Sequence, residues 1–124
     1  MLTVLPIRYV ADVETSRGFY EGLGLSYHPE VSVPVWTHLD AAASAVGIHD
    51  AAASKGRPIG TVELGFATDE RLEDVSARLT ARGYEHTLFD EDFGRSIHIT
   101  DPDGVVIQIQ EIDPETMRRS QSQL

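Results

Sequence analysis

Tyr9-Val10-Ala11-Asp12 runs an apolar segment into an aspartate, and Phe66-Ala67-Thr68-Asp69 does so again in the second half of the chain. Each reads as a strand that ends and a helix that begins, with the aspartate as N-cap. Leu23-Gly24-Leu25 likewise matches Arg82-Gly83-Tyr84, where a glycine closes a helix before the next strand. His38-Leu39 matches His98-Ile99, and an aspartate follows each closely. The period is about 60 residues, longer than a solenoid unit, so two copies indicate an internal duplication.

The elements between these anchors follow from periodicity. Thr3 to Val10 reads as a strand, with Pro6 suited to an edge or a start. Ser16, Phe19, Tyr20 and Leu23 share one helical face. Leu25 to Pro29, Val33 to Leu39 and Ala45 to His49 are short strands. Ala51 to Pro58 is a polar, Gly/Pro-containing loop. The second copy gives a strand over Thr61 to Ala67 and a helix carrying Leu72, Val75 and Leu79. Strands at Tyr84 to Phe89, Arg95 to Thr100 and Val105 to Gln110 follow. Repeat one therefore covers residues 1–50, a linker 51–59, repeat two 60–113, and a polar tail 114–124 is frayed or a short helix.

Composition bounds the function. The 124 residues fit one domain. There is no cysteine, which excludes disulfides and thiolate metal sites. With 20 Asp and Glu against 10 Lys and Arg, the formal charge is −10. That argues against nucleic acid and anionic membrane surfaces as partners. Its plainer meaning is a solvated acidic surface; its sharper one is attraction for cations. The start of the chain reads as neither a signal peptide nor a membrane span, so a soluble cytoplasmic protein is expected. No dinucleotide fingerprint, phosphate-binding loop or nucleophile elbow is present.

Three segments carry a family likeness. They are Val10-Ala11-Asp12-Val13-Glu14-Thr15-Ser16-Arg17-Gly18-Phe19-Tyr20 with Leu23-Gly24-Leu25, then Val62-Glu63-Leu64-Gly65-Phe66 before Asp69, then Gly94-Arg95 leading to Asp101-Pro102-Asp103-Gly104 and the apolar strand after it. In this order they resemble the vicinal-oxygen-chelate superfamily, which includes glyoxalase I, extradiol dioxygenases and bleomycin-resistance proteins. The resemblance implies an α+β fold of two βαβββ repeats. Each is a curved mixed sheet with a helix on its convex face, and together they line a cup. Alternation then sorts the side chains. Ile97, Ile99, Ile107 and Ile109 face the helix, as do Val62, Leu64 and Phe66. Ser96, His98, Thr100, Gln108, Gln110, Glu63 and Gly65 face the cup. Trp36 shares a face with His38, Gly47 with His49, and Leu5 and Ile7 with Tyr9.

Metalloenzymes of that superfamily place ligands at four strand positions, which fall here on Leu5, Gly47, Glu63 and Gln108. Leu5 has no donor, Gly47 has no side chain, and Gln108 is a neutral oxygen donor. Only Glu63 is a good ligand. The expectation is therefore no cofactor, with a divalent metal left to a displaced site of His49, Glu63 and His98. The plainer reading of each histidine is a hydrogen-bonding side chain, and of Glu63 a carboxylate paired with a nearby arginine or facing water.

Two functions are weighed. The first is a metal-free small-molecule binding protein similar to the bleomycin-resistance members, working as a homodimer. Trp36 and Tyr9 stack on an aromatic or cationic ligand, Glu63 meets positive charge, and His38, His49, His98, Gln108 and Gln110 supply hydrogen bonds. The alternative is a glyoxalase-like lyase or isomerase, or a dioxygenase-like metalloenzyme, with Glu63 as the candidate catalytic group beside a histidine. The first is preferred, because ligands are missing at the family positions.

Overall fold

The computed structural model describes residues 2–22, 25–100 and 102–122. The expected helix-face residue Leu23, the helix stop at Gly24 and the turn residue Asp101 lie outside them. The chain forms two compact units, Val4–Leu64 and Gly65–Leu124 with the residues before Val4.

The N-terminal unit holds β2 (Ile7–Val10), α1 (Val13–Gly22), β3 (Ser26–Tyr27), β4 (Trp36–Ala41), β5 (Ser44–Asp50) and β6 (Val62–Glu63). Its sheet order is β3-β4-β5-β2-β6. β2 runs parallel to β5, and the other pairs are antiparallel. The Asp12 carboxylate accepts the Thr15 N–H at 3.0 Å, which fixes the start of α1 as expected. Val10, Val13, Leu39 and Ile48 form the buried core, with Tyr20, Leu25 and Val46 packed against it. Phe19 departs from the expected stripe. It is 63% exposed and sits edge-on to Tyr20, so α1 buries Val13 and packs Tyr20 on the sheet and turns Phe19 outward.

The C-terminal sheet has order β1-β7-β10-β9-β8. Its strands are β1 (Leu2–Val4), β7 (Gly65–Thr68), β8 (Thr87–Glu91), β9 (Gly94–Thr100) and β10 (Val106–Ile112). The helices are α2 (Leu72–Ala81) and α3 (Pro114–Ser122), so most of the polar tail is helical. Leu72, Val75, Ile97 and Ile109 form its core, with Phe66 and Leu79 against them. Gly83 ends α2 in the left-handed region at φ +81°. Its N–H reaches Thr80 O and that of Tyr84 reaches Leu79 O, both at 3.0 Å, a Schellman closure.

The heads of both repeats differ from the expected continuous strands. Residues 3–10 break at Leu5 and Pro6 into β1 and β2, which belong to different sheets. Proline has no N–H to continue a ladder, so the chain leaves one sheet there and enters the other. Residues 61–67 break likewise at Leu64 into β6 and β7. Each sheet thus takes four strands from one repeat and one from the head of the other. A second consequence concerns Val62 and Leu64, expected against the helix. They are 62% and 52% exposed, because α1 packs on β4 and β5 while β6 is a two-residue edge beyond β2.

Asp69 does not occupy the position just before α2. The helix starts later, at Leu72, and Arg71 in the cap position gives no side-chain bond. The Leu72 N–H donates instead to Glu111 Oε2 at 2.8 Å, from β10. Arg95 holds that carboxylate by its Nε at 3.0 Å and grips Glu73 through NH1 and NH2 at 2.6 and 3.0 Å. The bonds from Arg95 keep the Glu73 carboxyl at about 2, well below its usual value. Glu111→Ala removes the cap and is expected to cost about 1–2 kcal/mol, read from the midpoint of urea unfolding. No helix among the described residues is long and apolar enough to cross a membrane.

Candidate functional site

The register of the N-terminal sheet decides which side chains share its second face, the one away from α1. Trp36 lies opposite His49, and His49 opposite Tyr9. The next row runs His38, Gly47, Ile7 and Glu63. Asp40 follows His38 by two residues and keeps its face. Residues distant in sequence are thereby brought together by strand pairing.

Glu63 is the hub of one end of this face. Its Oε1 accepts the Tyr9 hydroxyl at 2.8 Å, and its Oε2 accepts Arg57 Nε at 2.9 Å. Arg57 also lies over the Tyr9 ring, 5.4 Å from its centroid. The Tyr9 phenol is buried, and burial raises its pKa far above the ordinary 10; the hydrogen bond and negative charge of Glu63 raise it further, while Arg57 acts the other way. Such a group favours the native state fully below pH 10 and loses that contribution as the pH rises beyond it. Ultraviolet titration should show one of the four tyrosines ionising late, and that step should be absent from Tyr9→Phe.

Three rings continue the face. The His49 ring lies 5.3 Å from that of Tyr9 and 6.2 Å, edge-on, from that of Trp36. His49 Nδ1 is 2.8 Å from Asp50 O. A carbonyl only accepts, so Nδ1 carries the proton and a neutral His49 presents Nε2 as acceptor. The Trp36 indole covers Gly47: a Cβ there would run into Cη2 and lie 2.7 Å from Cζ3. Glycine is thus required by the tryptophan. The buried Trp36 Nε1 has no hydrogen-bond partner among the described residues, an uncommon state for a buried donor.

The remaining sequence-derived candidates lie in the C-terminal sheet. His98 packs on Phe89 at 4.4 Å between ring centroids, and its Nε2 is 3.6 Å from Glu91 Oε1. Gln108 pairs with His98 in the ladder, and Gln110 Nε2 donates to Gln108 Oε1 at 3.3 Å. Ser96, fully buried, donates to Glu91 Oε1 at 2.8 Å.

The resemblance implies four metal-ligand positions: Leu5, Gly47, Glu63 and Gln108. Leu5 is fully buried and apolar, and Gly47 lies under the indole. Both oxygens of Glu63 are engaged, and Gln108 is bonded to its neighbour. These residues do not fit the family's metal centre. Of the displaced trio, His49 and Glu63 belong to the N-terminal unit and His98 to the C-terminal one. The plainer reading of Glu63, a carboxylate paired with an arginine, holds; that the arginine is Arg57 was not readable, since nothing in a polar loop announces a carboxylate partner. It also gave no role to His28 and Asp40, although the His38–Asp40 spacing on a strand was a readable signal. One ligand atom each from His28, His38 and Asp40 lie within 4.8 Å of one another, close enough to hold a metal ion.

Two mixed sheets built from a duplicated βαβββ unit, each with a helix on one face and polar side chains on the other, define the class. The chain matches the Glyoxalase/Bleomycin resistance protein/Dioxygenase superfamily over residues 3–109, and it belongs to that family. No curated protein matches it. Among solved structures, one from Legionella pneumophila, described as an NAD-dependent benzaldehyde dehydrogenase, is 18% identical with a TM-score of 0.61, covering 89% of this chain and 99% of that one. A hypothetical protein from Bacillus halodurans C-125 is 15% identical, TM-score 0.60, covering 91% and 94%. An uncharacterized protein from Methanosarcina mazei is 21% identical, TM-score 0.54, covering 90% and 92%. At these identities the likeness is one of fold alone.

Proposed function

We propose that the chain is a small-molecule binding protein of the bleomycin-resistance type, holding an aromatic ligand on the Trp36–His49–Tyr9 face with no metal at the family positions. The observation that carries this reading is the buried, unpartnered Trp36 Nε1 beside two further rings. A flat ligand with an acceptor oxygen satisfies that donor and stacks on the half-buried His49 ring, and it has to part the side chains that bury Trp36 and Tyr9 to reach them. Charge is secondary to ring contact and hydrogen bonding at this face. Arg57 already neutralises Glu63, so a cationic ligand has to displace Arg57, although the net charge of −10 draws cations to the surface. The lyase reading needs Glu63 as a free base, and its engagement by Tyr9 and Arg57 weighs against that. A homodimer belongs to the same proposal, supported by the exposed Val62 on edge strand β6.

Trp36 is the only tryptophan, so its fluorescence reports on this face alone. Titration of EDTA-treated protein with nicotinamide, a neutral aromatic amide, and with metal-free bleomycin, an aromatic cation, tests the proposal. It expects saturable quenching by at least one of them. No change with either would overturn it.

A further inference from the structure

We infer that His28, His38 and Asp40 form a site for a divalent first-row transition metal, separate from the Tyr9–Glu63 cluster. His38 and Asp40 project from the same face of β4, with Nε2 and Oδ1 3.0 Å apart. Metal–ligand bonds of about 2.0–2.2 Å put neighbouring ligand atoms roughly 3–3.5 Å apart, so this pair already has a chelating separation. His28 completes the group within the 4.8 Å spread, and a modest side-chain rotation closes the rest.

The backbone holds the two histidines side by side. The His28 N–H donates to His38 O at 3.0 Å. Ser32 Oγ donates to His28 O at 2.8 Å and accepts the His38 N–H at 3.0 Å. Nδ1 of both histidines is buried with no hydrogen-bond partner among the described residues. His28 Nε2 faces Glu30 Oε2 at 3.4 Å, the kind of carboxylate contact that orients a ligating imidazole. The side chain of His38 is 13% exposed while those of His28 and Asp40 are 45% and 47% exposed, so an ion can enter against a buried wall.

Donor type selects the ion. Two imidazoles and one carboxylate suit zinc, nickel or iron(II), whereas calcium and magnesium take oxygen ligands. Three protein donors leave a coordination position open. Gly47 and Ile7 separate His38 from Glu63 in the register. At about 4.8 Å per strand that is about 14 Å, too far for one ion to bind both.

Isothermal titration of the untagged, EDTA-stripped chain with zinc chloride tests this. The expected result is one ion per chain with a dissociation constant of about 1 μM or tighter. His28→Ala and Asp40→Asn should each weaken it about tenfold or more, with unchanged circular dichroism. Cobalt(II) should give visible bands on the wild type and lose them in the double variant. Absence of zinc binding, or binding undiminished in the double variant, overturns the inference. Loss on Glu63→Gln with His28→Ala unaffected would put the ion at Glu63 and overturn the proposed function as well.

Discussion

Gly47→Ala should lower stability by about 1–3 kcal/mol and shift the emission of Trp36. The added methyl group meets the indole at Cη2 and Cζ3. Trp36 is buried, 7% exposed, and its ring cannot swing away without leaving the Tyr9–His49 stack. The cost should therefore depend on the tryptophan. In a Trp36→Leu background the same substitution should cost less than about 0.5 kcal/mol, a coupling that a double-mutant cycle in urea reads directly. Equal costs in the two backgrounds would show that the indole does not lie on Gly47. The result bears on function, since a glycine needed for packing leaves no donor side chain at this position.

Glu63→Ala should cost about 1–3 kcal/mol, chiefly by leaving the buried Tyr9 hydroxyl without an acceptor. The ion pair with Arg57 adds little, because both side chains are about one-third exposed and water screens them. Two companion variants separate these contributions. Glu63→Gln keeps an acceptor and should recover most of the loss. Tyr9→Phe with Glu63→Ala should be nearly as stable as Tyr9→Phe alone, since no hydroxyl is then stranded. The late-ionising phenol should also move back toward 10 in Glu63→Ala, stopping short of it because burial remains. A phenol unmoved by the substitution would remove Glu63 from the Tyr9 site.

The C-terminal core was legible because its signals are local. Leu72, Val75 and Leu79 recur at helical spacing, and Ile97 and Ile109 alternate along strands, so periodicity alone puts them together. Asp12 was legible as a cap for the same reason. What the sequence hid is non-local. The α2 start is capped by Glu111, 39 residues away on β10, and no local pattern points there. The crossing of the repeat heads between sheets hangs on Pro6 and Leu64, and it alone leaves Val62 on an exposed edge. The site shows the same division. Alternation sorts faces only within each strand, Trp36 with His38, Gly47 with His49 and Ile7 with Tyr9; the register between strands is what joins Tyr9, Trp36, His49 and Glu63 on one face. An arginine partner for Glu63 was among the readings, but which arginine was out of reach, since Arg57 comes from a loop whose path depends on the fold. The third residue of the histidine cluster, His28, is set by a backbone bond between β4 and a short turn.

A crystal structure of the EDTA-treated protein soaked with nicotinamide shows directly whether this face binds a ligand. The ring is expected against the Trp36–His49–Tyr9 row, its carbonyl oxygen within hydrogen-bonding distance of Trp36 Nε1, and Glu63 still held by Tyr9. A metal ion bound by Glu63, or a ligand seated only away from Trp36, would contradict the proposed function.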